Sequence, residues 1–165
     1  MKILVLSDTH SYIGKEIIER AQQVDEIWHV GDIGDISVVE TLRTCAPVRA
    51  VYGNIDGVDV RSEFPENLIF TVHNLTVLMR HIGGYPKKYT RECFQLITQH
   101  TPDIIVCGHS HILKIMNDAN HKALFINPGA IGKFGFHTVR TMIEFDIIDS
   151  IPQNMKVIEY KRSRD

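Results

Sequence analysis

The stretch Ile3-Leu4-Val5-Leu6-Ser7-Asp8-Thr9-His10 decides how the rest of the chain reads. Four apolar residues make a strand-length run, and two metal-competent side chains follow at once. The arrangement recurs. Ile27-Trp28-His29-Val30 precedes Gly31-Asp32, and the run from Val48 to Tyr52 precedes Gly53-Asn54. Leu75 to Met79 leads into Arg80-His81, and Ile104 to Cys107 leads into Gly108-His109-Ser110-His111. In open α/β sheets, ligands bind beyond the carboxyl ends of the strands. Five such ends deliver Asp8, His10, Asp32, Asn54, His81, His109 and His111 to one crevice. Four groups of this kind hold one divalent ion; seven, with one shared, hold two.

Outward from that first run, helix alternates with strand. Ser11 to Val24 carries Ile13, Ile17, Ile18 and Ala21 at amphipathic-helix spacing. Ser37 to Cys45 opens with the capping-box pattern Ser37-x-x-Glu40. Alternation predicts parallel strands joined by helical crossovers. Further on, Leu68 to Val72 and Leu75 to Met79 flank a hairpin turn at His73-Asn74, and Lys88 to His100 reads as a helix. The runs Ile112 to Met116, Ala123 to Ile126 and Thr141 to Ile148 read as antiparallel. A turn over Ser150 to Asn154 precedes a last strand, Met155 to Tyr160. The expected fold is α/β, a mixed sheet or two sheets packed face to face, with helices outside, in one domain spanning 1–165.

Composition narrows the function. The chain has 165 residues, 44% apolar, and a formal charge of −2. That balance fits a soluble globular protein and supplies no overall field toward nucleic acid or anionic lipid. No basic stripe interleaved with aromatics is present, so nucleic acid is not an expected partner. Three cysteines with no Cys-x-x-Cys pair argue against a disulfide framework and a thiolate zinc site. Cys107, inside an apolar run, reads as a small buried hydrophobe. Only four apolar residues follow Met1-Lys2, whereas a secretory signal needs roughly 7–15. No run approaches the roughly 18 apolar residues of a membrane span. A cytoplasmic protein is expected, with no membrane partner.

Each ligand alone has an ordinary reading: Asp8 as a helix N-cap, Asp32 as a turn cap, Asn54 as a left-handed turn residue, His81 as a surface histidine. Their joint placement argues for metal. In an extended segment Asp8 and His10 point to one side, and so do His109 and His111. Gly31, Gly53 and Gly108 permit close backbone approach where the ligands emerge. Imidazole, carboxylate and amide without thiolate suit manganese, iron, zinc, nickel or cobalt. Two ions roughly 3.5–4 Å apart, sharing Asp32 and a water, turn that water into a nucleophile for phosphorus.

On these motifs, from Asp8-Thr9-His10 to Asn127-Pro128-Gly129, the chain resembles the calcineurin-like metallophosphoesterases. It is most similar to their small bacterial and archaeal phosphodiesterase group, related in fold to the retromer scaffold subunit. The resemblance implies a four-layer α/β/β/α sandwich of two mixed sheets with helices outside. It implies that Asp8, His10, Asp32 and His111 hold one ion. Asp32, Asn54, His81 and His109 hold the other, with Asp32 bridging and Asn54 near a phosphoryl oxygen. Asn127-Pro128-Gly129 supports the site. Manganese is favoured, with zinc, iron, nickel, cobalt or magnesium as alternatives. The implied reaction is hydrolysis of a small phosphodiester, in which Asp32 and Asn54 are the catalytic residues. The alternatives are a phosphomonoesterase, acting on nucleotides among others, and a non-catalytic protein-binding scaffold. A homo-oligomer is left open.

Three positions depart from the family pattern. Ile55 follows Asn54 where many relatives carry a histidine that protonates the leaving group, which predicts a preference for good leaving groups. Beside it, Asp56 either orients Asn54 and its turn or has a plain turn role. Ile82 follows His81 where glycine is usual. Arg80 is a phosphate-contact candidate that strand alternation points away from His81, toward the surface. After Gly129, Lys133 and His137 are candidates to touch an anionic substrate, Lys133 first as the substrate-binding residue. Phe134 and Phe136 are either a substrate wall or a subunit contact. His29, His73, His100 and His121 read as core or surface residues.

Overall fold

A computed structural model describes residues 1–162 of the chain. The first run forms β1 (Lys2–Leu6), followed by α1 (Lys15–Ala21), β2 (Glu26–His29), α2 (Ser37–Arg43), β3 (Val48–Ala50) and α3 (Val58–Glu63). β1, β2 and β3 pair in parallel, as the crossover pattern predicts. The middle supplies β4 (Asn67–Val72), β5 (Leu75–Arg80), the two-residue pair β6 (Gly84–Tyr85) and β7 (Lys88–Tyr89), and α4 (Arg91–His100). β8 (Ile104–Cys107), β9 (Lys114–Asp118), β10 (Ala123–Asn127), β11 (Val139–Ile148) and β12 (Ile151–Lys161) complete the order.

Two five-stranded sheets result, in the orders β12-β11-β1-β2-β3 and β4-β5-β8-β10-β9. Alternation along β1 shows how they stack. Leu4 and Leu6 face Ile17, Val38 and Leu42 of the helical layer. Ile3 and Val5 face the other way, into a core between the sheets with Trp28, Val77, Met79, Val106 and Phe145. The far side of the second sheet packs Leu78, Ile105 and Phe125 against Cys93 and Ile97 of α4. The layers are α/β/β/α. Trp28 is wholly buried, and its indole N–H donates to Glu26 Oε1 at 2.8 Å, so its polar edge is satisfied. Truncating it to Ala removes a side chain of the class whose loss costs about 3–5 kcal/mol.

The hairpin forms at His73-Asn74, with φ of +44° and +64°, the left-handed pair a tight two-residue turn demands. Several expectations are corrected. α1 starts at Lys15 rather than Ser11, because residues 8–11 are engaged elsewhere. The capping box at Ser37 does not form. Ser37 lies inside α2, and Asp35 Oδ1 accepts its N–H at 2.9 Å. α4 begins at Arg91, capped by the Thr90 hydroxyl, which accepts from Cys93 N–H. β10 is antiparallel to β9 but parallel to β8. The last turn is at Asp149-Ser150, and β12 already includes Pro152, tolerated because β12 is an edge strand. Cys93 and Cys107 are free and buried, as the apolar context of Cys107 predicts.

Candidate metal centre

β1, β2, β3, β5 and β8 all run toward the same edge of the sandwich, and a loop leaves each there. The loops are tied together by their backbones. Asp8 N–H donates to Gly31 O at 3.0 Å, His10 N–H to Asp32 O at 3.0 Å, and Ser11 N–H to Ile33 O at 2.8 Å. This pairing fixes a backbone that the sequence does not announce. Asp8, His10, Asp32, His109 and His111 have φ of +56°, +46°, +52°, +68° and +58°. The expectation of extended Asp8–His10 and His109–His111 segments is therefore corrected: both bend through left-handed conformations. Such residues persist where surrounding bonds over-determine them, and they cluster at functional sites. The glycine at 53 is required by close approach, since a Cβ there lies 2.1 Å from Asp32 Oδ1.

The side chains converge as two triads. Asp8, His10 and His111 offer ligand atoms within 4.8 Å of one another, and so do Asp32, His81 and His109. Asp8 Oδ1 lies 3.0 Å from His111 Nε2. Asp32 faces both groups: Oδ2 is 3.7 Å from His10 Nε2, and Oδ1 is 3.2 Å from His81 Nε2. Asp8 Oδ1, His10 Nε2 and His81 Nε2 are buried with no hydrogen-bond partner. Orphaned buried polar atoms are costly unless something binds them. Three orphans aimed at one space, from a nitrogen and oxygen donor set, fit divalent cations.

Electrostatics agree. Burial alone raises the Asp32 carboxyl, but the His81 ring and the Ile55 N–H, 3.1 Å from Oδ1, bring it below the usual carboxylate range. Burial pulls the His81 imidazole down, but Asp32 and Asp8 push it above its ordinary value. His81 Nδ1 is 2.7 Å from Val30 O. With Nδ1 donating that N–H, the neutral ring carries its lone pair on Nε2, the usual tautomer of a metal-ligating histidine. Asn54 is exposed at the rim of the same crevice.

Residues beneath the rim hold the ligand loops. Asn127 Nδ2 donates to Gly108 O at 3.0 Å and to Ser110 Oγ at 3.2 Å, bracing the His109–His111 loop. Asp56 accepts from Gly34 N–H and Gly53 N–H, both at 2.7 Å, so it joins the Asp32 loop to the Asn54 loop. Arg61 donates through Nε to Asp56 O at 2.6 Å and through Nη2 to Gly53 O and Asn54 O. It was invisible in the sequence because its helix is one six-residue turn with a single buried residue. His29 is a wholly buried core residue. Gly31 N–H donates to its Nδ1, so its Nε2–H faces Thr9 Oγ1 at 2.9 Å, and Thr9 donates on to Ile33 O. Burial holds the His29 imidazole down at about 4, hence neutral.

Two candidates sit differently from their reading. Arg80 is buried rather than on the surface; it donates to Ile82 O at 2.8 Å, to Asn67 Oδ1, and to Glu66 Oε1 at 3.1 Å. Lys133 lies with Nζ 5.0 Å from the Tyr12 ring centroid and does not line the crevice. His137 does line it, with its ring centroid 5.2 Å from that of His111.

Residues 1–150 match the family model of the calcineurin-like phosphoesterase superfamily domain. A probable metallophosphoesterase of Methanothermobacter thermautotrophicus is 29% identical over 140 residues, covering 79% of this chain and 77% of that protein. Another from Methanocaldococcus jannaschii is 29% identical over 136 residues, covering 79% and 68%. Among solved structures, wild-type Vps29 of Entamoeba histolytica in complex with zinc superposes with a TM-score of 0.75 at 20% identity, covering 99% of this chain and 100% of that one. A novel archaeal phosphodiesterase superposes at 0.71 with 21% identity, covering 96% and 100%. With the family model spanning all five strand-end motifs, the chain belongs to the calcineurin-like phosphoesterase superfamily.

Proposed function

We propose that residues 1–165 form one domain acting as a metal-dependent phosphodiesterase on a small phosphodiester in the cytoplasm. Asp8, His10 and His111 would hold one divalent ion, His81, His109 and Asn54 would hold a second, and Asp32 would serve both. The observation carrying this reading is the placement of Asp32, with one carboxylate oxygen toward His10 and the other toward His81. Manganese is the favoured metal; the donor set also accepts zinc, iron, nickel, cobalt or magnesium. When bound, such a pair supplies Lewis-acid activation of water and neutralisation of phosphoryl charge. The chain's own part is positional. Asp32 fixes the spacing of the two half-sites. The Asn54 amide, at the crevice rim, donates to a phosphoryl oxygen. Ile55 provides its backbone N–H to Asp32 and no side-chain proton donor, so the leaving group departs on its own basicity. The archaeal phosphodiesterase likeness supports the diester.

The test is elemental analysis of metal-loaded protein together with an Asp32→Asn variant. Two metals per chain are expected. The variant is expected to lose kcat/KM by about a thousandfold or more, since bridging charge contributes several kcal/mol at the transition state. One metal per chain, or full activity in the variant, overturns the bridge. Mono- and diesters of one leaving group, compared after chelation and metal addition, separate this reading from a phosphomonoesterase. A non-catalytic scaffold of the same fold predicts that metal-loaded protein turns over neither.

A further inference from the structure

The crevice over the ligands is divided at Asn54 into two unlike clefts. One, of about 270 Å³, runs past Tyr52, Arg61, Glu66 and Arg80. The other, of about 540 Å³, has His10, Asp32, His109 and His111 in its floor. Its walls are Ile55, Ile112, Phe134 and Phe136, all exposed, Phe134 by 71% and Phe136 fully. Among the described residues no lysine or arginine lines it. Lys133, beside Phe134 in sequence, is turned onto the Tyr12 ring instead. Contiguous exposed apolar side chains mark a binding surface. These four share a cleft with five metal-ligand candidates, Asn54 included, so what they bind is the molecule that meets the metals.

The wall is held in position. His137 Nε2 is 3.0 Å from Gly132 O, and Arg162 donates to the carbonyls of Gly135 and His137, the latter at 2.9 Å. The Phe134 ring also rests on His10, with centroids 5.4 Å apart. Arg162 spends its donors on the Gly135 and His137 carbonyls behind the wall, so a charged substrate arm laid here meets no cation among the described lining residues and loses water against two phenyl rings. An uncharged arm gains by burial. The neighbouring cleft differs, with the Arg61 guanidinium stacked 4.5 Å from the Tyr52 ring centroid.

We propose that the larger cleft is a subsite for an uncharged apolar ester arm, alkyl or aryl, so that the substrate is an asymmetric phosphodiester with one apolar and one polar arm. This rests on the phosphodiesterase reading above.

The test uses metal-loaded protein and 4-nitrophenyl diesters whose second arm runs from methyl to hexyl, against one whose arm ends in carboxylate. A fully buried methylene is worth about fourfold, so at a half-open wall kcat/KM is expected to rise about twofold per methylene. In a Phe134→Ser/Phe136→Ser double variant the rise is expected to flatten, with two metals still bound as the folding control. A flat series in the wild type, a slope that survives in the variant, or preference for the carboxylate arm overturns the proposal. If no diester is cleaved, the phosphodiesterase reading fails by itself. Calorimetric binding of dialkyl phosphates of the same chain lengths still reads the cleft, and a Kd indifferent to chain length sinks the subsite.

Discussion

Asp8, His10 and His111 are steadied by rings: His10 meets His111 edge-on at 5.6 Å and Phe134 at 5.4 Å, and His111 meets His137 at 5.2 Å. Asp32, His81 and His109 include one ring contact, His81 meeting His109 edge-on at 5.3 Å, but are steadied chiefly by backbone. His81 is tied to Val30 O, Asp32 accepts from Ile55 N–H, and the Asp32 loop is fastened through Asp56. The two half-sites thus use similar donors on unlike supports. One leans on an exposed apolar segment that also walls the larger cleft; the other sets Asp32 and His81 into the core edge, with His109 exposed. A rigid, hydrogen-bonded histidine binds metal better than one held by packing, because its tautomer and orientation are already set.

The largest effect that can break this contrast is in metal affinity. The Asp32–His81–His109 half-site is expected to be the tighter. In His81→Ala the tight ion should weaken by more than the roughly 10–100-fold that loss of an outer-shell partner costs. In His10→Ala one ion per chain should remain, at the parent's tighter affinity. Titration of chelated protein followed by calorimetry measures both. Equal weakening of the tight ion in both variants would erase the distinction between the half-sites.

That contrast was only half legible in the sequence. The convergence of the candidate ligands was, because each sits where an apolar run stops, and the strand pattern fixes which sheet end they share. The supports were not. Asp8 and His10 share a crevice through left-handed backbone locked to the 31–33 loop, a pairing across more than twenty positions that no local pattern reports. Alternation pointed Arg80 away from His81 and toward the surface, yet it is buried and lines one cleft with His81. The pattern could not foresee Glu66 and Asn67 arriving on the neighbouring strand to satisfy a buried guanidinium. Ser37-x-x-Glu40 fits the capping motif, yet Asp35 reaches the end of α2 first. Lys133 looked available for an anion because cation–π packing on Tyr12 is likewise a long-range contact.

His29 belongs to neither half-site and joins both, through Thr9 on one loop and Gly31 on the other. Its imidazole titrates near 4 in the folded protein and near 6.5 in an unfolded chain. As pH falls below 6.5 the unfolded chain takes up a proton that the folded one refuses, so stability declines toward pH 4, by up to about 3 kcal/mol. Above 6.5 this contribution is constant. The measurement is the urea midpoint against pH in chelator, so that metal release does not enter, for wild type and His29→Gln. The wild type should lose more stability than the variant between pH 6.5 and 4. Parallel curves would mean that His29 is not the buried neutral link.

The smallest effect should come from Asp56, which fastens the Asp32 loop to the Asn54 loop. Its two carboxylate oxygens each accept one amide N–H, from Gly34 and from Gly53. Asp56→Ala leaves both donors unpaired, the Gly53 one buried, and is expected to cost about 2 kcal/mol. Asp56→Asn keeps one acceptor and should lose about half of that. Because Asp56 reaches the Asp8–His10–His111 set only through the shared Asp32 loop, the shortfall should reach the metals unevenly. Metal titration of Asp56→Ala should weaken the ion shared by Asp32 and His81 and leave the Asp8–His10–His111 ion bound within about threefold of wild type, a difference below 1 kcal/mol. Equal weakening of both ions would mean that the two loops move as one body and that the supports, though built differently, are mechanically a single frame.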